Sequence, residues 1–151
     1  MKFGGILLIV EDMEKAKDFY QNLLQQKITM DMGEHVSFEN GLTLQANYEK
    51  IVGKSLKSLQ GAHNFQLYFE VEDISEWEKR MRETDSVVFL HVLREYPWGQ
   101  RSMRIYDLDK NIIEIAETMD SVIKNYLAQG IAVEEIAKRT MYPKEYIESI
   151  I

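Results

Sequence analysis

The strand-like segment IIEIAE at 112–117 carries the residue with the clearest chemical potential, Glu114, which lies between two isoleucines. Successive side chains of a strand point to opposite faces, so Glu114 lies on the face opposite to Ile113 and Ile115. That face either meets solvent or lines a cavity. In a cavity, the carboxylate could accept a hydrogen bond from a ligand or act as a general base. Alternatively, Glu114 pairs with Arg101 or Arg104 and only stabilises the strand.

Trp98 is the second candidate, and it lies between Pro97 and Gly99. Proline fixes the backbone before the indole, and glycine allows a tight path after it. The ring could therefore form a rigid wall that stacks on a planar or cationic ligand. Alternatively, it fills a loop or a subunit contact. We favour the ligand wall.

Composition limits the classes of partner. The formal net charge of −7 and the pI near 5.0 argue against nucleic acid and anionic membranes, which attract positively charged proteins, and favour a neutral or cationic small molecule. The chain contains no cysteine, which permits a reducing compartment, and we expect a cytoplasmic protein. No run approaches the roughly 20 apolar residues that span a bilayer.

An internal repeat organises the chain. Residues 6–24 and 67–83 each read as a strand ending in Val-Glu-Asp and then an amphipathic helix, with Asp12 and Asp73 placed as N-caps. Three strand-like segments follow each helix: 28–32, 34–39 and 41–48, and then 87–96, 100–107 and 112–117. The sequence therefore predicts an α+β fold made of tandem βαβββ modules.

The predicted boundaries place a paired domain at 1–117 and a helical C-terminal extension at 118–151. Copy one covers about 1–48, a linker 49–62, and copy two about 63–117. In the extension, Gly130 suits a helix C-terminus and Pro143 the start of a last helix.

The segment AVEEIAKRTMYPKEYIESI at 132–150 is similar to a DNA-binding helix-turn-helix. However, residues 118–151 contain five acidic and four basic residues and so carry no excess of positive charge. Phosphate contacts would be poor, so we predict a packing appendage that does not bind DNA.

The repeat and two motifs resemble the vicinal oxygen chelate superfamily, which includes glyoxalase I, bleomycin-resistance proteins and extradiol dioxygenases. The motifs are PWG-x-R at 97–101 and D-x-D-x-N-x-x-E at 107–114. The resemblance implies that each copy curls into a cup-shaped half-barrel and that the paired copies form a cleft for a ligand or metal.

Metal-dependent members of this superfamily take one ligand from the first strand and one from the last strand of each copy. The matching positions here are Gly5, Gln45, Gln66 and Glu114. Zinc, nickel and iron sites need about three good ligands, mostly His or anionic groups. We therefore expect no metal cofactor, although a weak divalent site completed by water stays open.

The first hypothesis is a metal-independent, small-molecule-binding protein of the glyoxalase/bleomycin-resistance type, and we expect a homodimer. One alternative is a glyoxalase-like, metal-assisted lyase or isomerase with Glu114 as the base, so whether the protein is an enzyme stays open. Another is a non-catalytic interaction or regulatory module.

In the first strand of copy two, the alternation of side chains puts Gln66, Tyr68 and Glu70 on the concave face. The predicted ligand-binding residues are Trp98, Glu114, Gln66, Tyr68, Gln45, His91 and Arg101.

Overall fold

The computed structural model describes residues 1–150 and contains two βαβββ modules followed by three helices. In the first module, the strands are β1 (Ile6–Ile9), β2 (Ile28–Asp31), β3 (His35–Phe38) and β4 (Leu42–Gln45). Helix α1 (Met13–Lys17) continues as a π-helical segment (Asp18–Leu23). A short helix α2 (Tyr48–Val52) begins the predicted linker.

The second module consists of β5 (Gln66–Val71), α3 (Ile74–Arg82), β6 (Val88–Glu95), β7 (Arg101–Tyr106) and β8 (Ile112–Glu117). The C-terminal helices are α4 (Met119–Ala128), α5 (Val133–Thr140) and α6 (Lys144–Glu148). None of the helices within residues 1–150 has the length and apolar character needed to span a membrane.

Each module forms an open four-stranded sheet, with order β1-β4-β3-β2 in the first and β5-β8-β7-β6 in the second. The first strand of each module pairs in parallel with the last, and the other pairs are antiparallel. The predicted α+β class with tandem βαβββ modules is therefore confirmed. Asp12 and Asp73 cap their helices as predicted, because their carboxylates accept hydrogen bonds from first-turn amides.

The chain separates into two compact units. The first contains residues 1–63 together with 107–111, and the second contains residues 64–106 together with β8 and the C-terminal helices. The Asp-x-Asp-x-Asn turn between β7 and β8 thus belongs to the first unit. Asp107 is buried there and accepts a hydrogen bond of 2.7 Å from the Tyr20 hydroxyl and one of 2.7 Å from the backbone amide of Asn111. Asp109 accepts a hydrogen bond from the backbone amide of Glu11.

In the second unit, one face of the sheet packs against α3 and buries Met103 and Ile105 of β7 and Ile113 and Ile115 of β8. The core residues on this side are Leu67, Ile74, Met81, Met103, Ile105, Ile113 and Ile115. The even-numbered residues of β8 lie on the other face, and Glu114 is among them.

The C-terminal helices have their own apolar cluster, centred on Ile123, Ile136 and Ile147. Gly130 follows α4 in a left-handed conformation, as expected for a glycine beyond a helix C-terminus. Pro143 is the N-cap of α6, one position before the helix begins.

Replacing Tyr20 with Phe should lower the free energy of unfolding by about 1–2 kcal/mol, because a buried carboxylate loses one of its donors. Burial, followed by the charge of Asp107, raises the pKa of Tyr20 well above its ordinary value. Wild-type stability should therefore fall as the pH rises above about 10, where tyrosine in the unfolded chain ionises. The Phe variant lacks this titration, so the difference between the two proteins should shrink there.

Urea unfolding at pH 7 and between pH 9 and 11 measures both effects, with Tyr48→Phe on the short helix α2 as the control. A Tyr20→Phe protein as stable as the wild type at pH 7 would contradict this role for the hydroxyl.

Candidate ligand-binding site

Two of the four positions that correspond to metal ligands lie in the first unit, and neither offers a free ligand atom. Gly5 has a φ of +142°, and a Cβ at this position would lie 2.3 Å from the backbone oxygen of Gly41. Gln45 is buried, and its Nε2 donates to the backbone oxygens of Glu34 and Ala46 at 2.8 and 2.7 Å. Its Oε1 lies 2.8 Å from His35 Nδ1. Close backbone approach therefore excludes a side chain at Gly5, and the amide of Gln45 is used within the protein.

The other two positions, Gln66 and Glu114, meet on one face of the second sheet. Gln66 Nε2 donates to Glu114 Oε2 at 2.6 Å. The same carboxylate oxygen accepts from Arg104 Nη2 at 2.7 Å, and Arg104 Nε donates to Gln66 Oε1 at 3.0 Å. The side chain of Glu114 is 9% exposed and that of Arg104 is 21% exposed. An arginine from the adjacent strand thus neutralises the carboxylate.

Arg104 also contacts the outer strand of the sheet. Its Nη1 lies 2.9 Å from His91 Nε2 and 2.5 Å from the Tyr96 hydroxyl. His91 Nδ1 lies 2.9 Å from the backbone oxygen of Val92, so these contacts assign the tautomer with the proton on Nδ1. A bulge between Phe89 and His91 shifts the register of β6 and sets His91 opposite Arg104.

These residues do not fit a divalent metal. Within residues 1–150, no group of three or more histidine, aspartate or glutamate side chains is placed to hold a metal ion. The guanidinium of Arg104 makes its contacts with Glu114 and His91 at 2.7 and 2.9 Å, so a divalent ion there would meet a positive charge already bound to the carboxylate.

Tyr96 connects this cluster to the Pro97-Trp98-Gly99 turn. Burial opposes ionisation of its hydroxyl, but hydrogen bonds from Arg94 and Arg104 outweigh burial and lower the pKa of Tyr96. Its ring stacks on the indole of Trp98, with the centroids 4.7 Å apart and the planes 17° from parallel. The position of Trp98 therefore depends on the arginine cluster below Tyr96.

Hydrogen bonds fix Trp98 from a second side. Its Nε1 donates to Gln100 Oε1 at 3.0 Å, and Gln100 Nε2 donates to the Tyr68 hydroxyl at 3.0 Å and to the backbone oxygen of Glu117 at 2.7 Å. Gly99 has a φ of +87°, and a Cβ there would lie 2.0 Å from the Tyr126 hydroxyl, so helix α4 supports the turn directly. The indole thus contacts two residues of the same turn, and the turn is supported through Gly99 by helix α4.

A pocket of about 480 Å³ lies beside Trp98 and within the second unit. We call it the Trp98 pocket. Its lining includes Tyr68 and Glu70 from β5, Pro97 and Trp98 from the turn, and residues 139–142 at the end of α5. Of the predicted ligand-binding residues, Trp98 and Tyr68 thus come together, and Gln66, Glu114 and His91 form the adjoining arginine cluster.

Arg101 and Gln45 lie elsewhere. Arg101 forms an ion pair with Glu117, which is fully buried, and its backbone amide donates to the same carboxylate at 3.0 Å. The side-chain hydrogen bond from the guanidinium to Glu117 raises the pKa of Arg101. Gln45 lies in the first unit, hydrogen-bonded as described above.

Arg104 was predicted only as a possible stabilising partner of Glu114, and Tyr96, Gln100 and the tail residues were not predicted as site residues. A signal for Arg104 was available: the β7–β8 hairpin is symmetric about Asp109, so Arg104 and Glu114 face each other. No local pattern pointed to the tail residues, because their proximity to β5 depends on how the helices fold back.

Two open four-stranded sheets, each built as a βαβββ module, place the protein in the glyoxalase-like class of α+β folds. The sequence matches the family described as glyoxalase-like domain over residues 3–120, and the chain belongs to that family, within the vicinal oxygen chelate superfamily.

Three solved structures illustrate the range of similarity. A protein of unknown function from Agrobacterium tumefaciens str. C58 is 33% identical, with a TM-score of 0.71 over 78% of this chain and 94% of that chain. A glyoxalase-related enzyme from Fulvimarina pelagi is 22% identical, with a TM-score of 0.64 over 78% and 88%. A lactoylglutathione lyase from Agrobacterium tumefaciens is 20% identical, with a TM-score of 0.60 over 78% and 94%. No curated protein matches the sequence.

Replacing Arg104 with Met should lower the free energy of unfolding by about 3 kcal/mol, because Glu114 would remain largely buried without its cation. Adding Glu114→Gln should recover part of this loss, because the neutral amide no longer needs a cation. Urea unfolding of both single variants and the double variant measures the coupling between them.

The matched control is Arg82→Met, which breaks an exposed pair with Glu78 on α3 and should cost about 0.5 kcal/mol. An Arg104→Met protein no less stable than this control would refute the pairing described here.

Proposed function

We propose that this protein binds a small organic molecule without a metal ion, in the Trp98 pocket. The observation that carries the proposal is the ion pair between Arg104 and Glu114, whose nitrogen and oxygen atoms are 2.7 Å apart. Glu114 is the one carboxylate among the four positions that hold metal ligands in metal-dependent members of the superfamily. The positive charge that a metal would supply is supplied by the protein itself.

The Trp98 pocket supports a binding function. Its volume of about 480 Å³ falls within the range of small-ligand sites, about 300–1,000 Å³. Tyr96 and Gln100 hold the indole by stacking and by a hydrogen bond. A wall fixed in this way loses little conformational freedom when a ligand binds, which favours affinity.

The lyase alternative has less support. A general base must be able to reach the proton that it removes, but Glu114 Oε2 already accepts hydrogen bonds from Gln66 and Arg104. The similarity to a lactoylglutathione lyase at 20% identity concerns the fold alone. Catalysis through this oxygen would compete with these hydrogen bonds, and the lyase hypothesis also requires a bound metal.

We also propose that the protein is a homodimer, and the absence of cysteine suits a cytoplasmic protein. Support for a dimer comes from β6, the outer strand of the second sheet, where Val88, Leu90 and Val92 are each about half exposed. Exposed apolar side chains on an edge strand commonly mark an association surface.

Calorimetric titration of the purified protein with zinc, nickel and manganese should give no stoichiometric binding. A site with a dissociation constant below about 1 μM would overturn the proposal, since such affinity requires several well-placed ligands. The double variant Arg104→Gln/Gln66→His provides a positive comparison, because it removes the competing cation and adds an imidazole, and it should bind zinc more tightly than the wild type.

Light scattering during size-exclusion chromatography should give a dimer for the wild type and a monomer for Leu90→Glu, because the added charge would be buried at the interface. Leu59→Glu, at a strongly exposed leucine of the first unit, should leave the dimer intact. A monomeric wild type at about 100 μM, well above the dissociation constant of a stable dimer, would contradict the assignment.

A further inference from the structure

Part of the lining of the Trp98 pocket comes from residues 139–142, which lie beyond the glyoxalase-like match at 3–120. We propose that the C-terminal helices complete this pocket for a planar aromatic molecule bearing a basic amine, with Glu70 binding the amine and Met141 contacting the ring. This inference rests on the proposed binding function and adds the chemistry of the ligand.

The polar atoms of most wall residues are already satisfied. Trp98 Nε1 donates to Gln100, and Gln100 Nε2 donates to Tyr68 and to a backbone oxygen. Thr140 Oγ1 donates to the backbone oxygen of Ile136 at 2.8 Å and accepts from the amide of Tyr142. These walls therefore offer a ligand mainly ring faces and carbon atoms. Such surfaces favour a flat, apolar molecule.

The charges in the pocket favour a cationic group. Arg139 forms an ion pair with Glu135 at 2.8 Å and lies over the ring of Tyr126, so its charge is compensated locally. Glu70 is exposed and accepts one hydrogen bond, of 3.1 Å, from the Tyr68 hydroxyl; within residues 1–150 it forms no ion pair. An ammonium group beside Glu70 would gain a charge-assisted hydrogen bond.

Met141 provides an independent observation. It ends α5 with a φ of +64°, a conformation that favours glycine because a Cβ is strained there. Its side chain is 87% exposed and so adds almost nothing to the buried core. The chain thus places a flexible, polarisable thioether in a strained conformation at the mouth of a pocket. Thioethers pack well on aromatic rings, and strain of this kind is concentrated at ligand sites.

Three probes of matched size test the ligand class: 1-naphthylmethylamine, 1-naphthalenemethanol and 1-naphthoic acid. Binding to the full chain is followed by two-dimensional NMR at pH 7, with the indole signal of Trp98 assigned from Trp98→Phe. We expect the amine to shift this signal and to bind about 10-fold more tightly than the alcohol, which corresponds to one charge-assisted hydrogen bond. The acid should bind most weakly, because Glu70 repels it.

Two variant pairs test the residues. Glu70→Gln should weaken amine binding about 10-fold, and Glu72→Gln, at an exposed residue two positions along the chain, should not. Met141→Gly should weaken amine binding about 3-fold or more while its melting temperature stays equal to or above that of the wild type, because glycine relieves the strain. Met141→Leu should retain the affinity.

Stronger binding of the acid than of the amine, or no binding of the amine at millimolar concentration, would overturn the ligand class. Equal affinity of Met141→Gly and the wild type, or a lower melting temperature of this variant, would overturn the role of the tail. Neither result would affect the proposal that the protein works without a metal, which tight metal binding in the calorimetric titration would overturn.

Discussion

The ion pair between Arg104 and Glu114 is the interaction on which the second unit depends. A largely buried carboxylate requires a compensating positive charge, because isolated charges are strongly disfavoured away from water. A metal ion or a basic side chain can provide it, and here the antiparallel neighbour of β8 provides an arginine directly opposite Glu114. The same guanidinium reaches His91 and Tyr96, so one residue links side chains from all four strands. The cation is part of the chain, and its contacts organise this face of the sheet.

The turn at 97–99 depends on this cluster and on the C-terminal helices together. Tyr96 contacts Arg104 through its hydroxyl and stacks on Trp98 with its ring. Tyr126 of α4 packs so closely against Gly99 that no Cβ fits between them. The helices are stabilised by their own cluster of Ile123, Ile136 and Ile147. An appendage with an internal core can hold residues 139–142 beside β5 without taking side chains from the sheet. The tail is in this way a structural part of the pocket.

The motifs that identify the family differ in what they do. Asp107 and Asp109, which belong to the most recognisable motif, accept hydrogen bonds from Tyr20, Asn111 and Glu11 inside the first unit. Their role is to fix the turn before β8. Arg101, from the other motif, holds the buried carboxylate of Glu117. A motif of this kind reports the fold reliably because it stabilises the fold, and for the same reason it says little about the ligand. The pocket takes Pro97 and Trp98 from the motif at 97–101, but Tyr68, Glu70 and residues 139–142 of its lining lie outside both motifs.

The sequence by itself determined the tandem modules, the helix caps at Asp12 and Asp73, and the face on which Gln66, Tyr68 and Glu114 lie. These features follow from local rules, namely strand alternation, capping preferences and an internal repeat, which each operate over a few residues. Only the tertiary structure decided that a bulge in β6 brings His91 to Arg104, and that residues 139–142 line a pocket with Tyr68 and Glu70. Each of these contacts joins residues far apart in the chain or follows from an irregular register. Their partners are selected by packing and charge compensation across the whole unit, which no local period encodes.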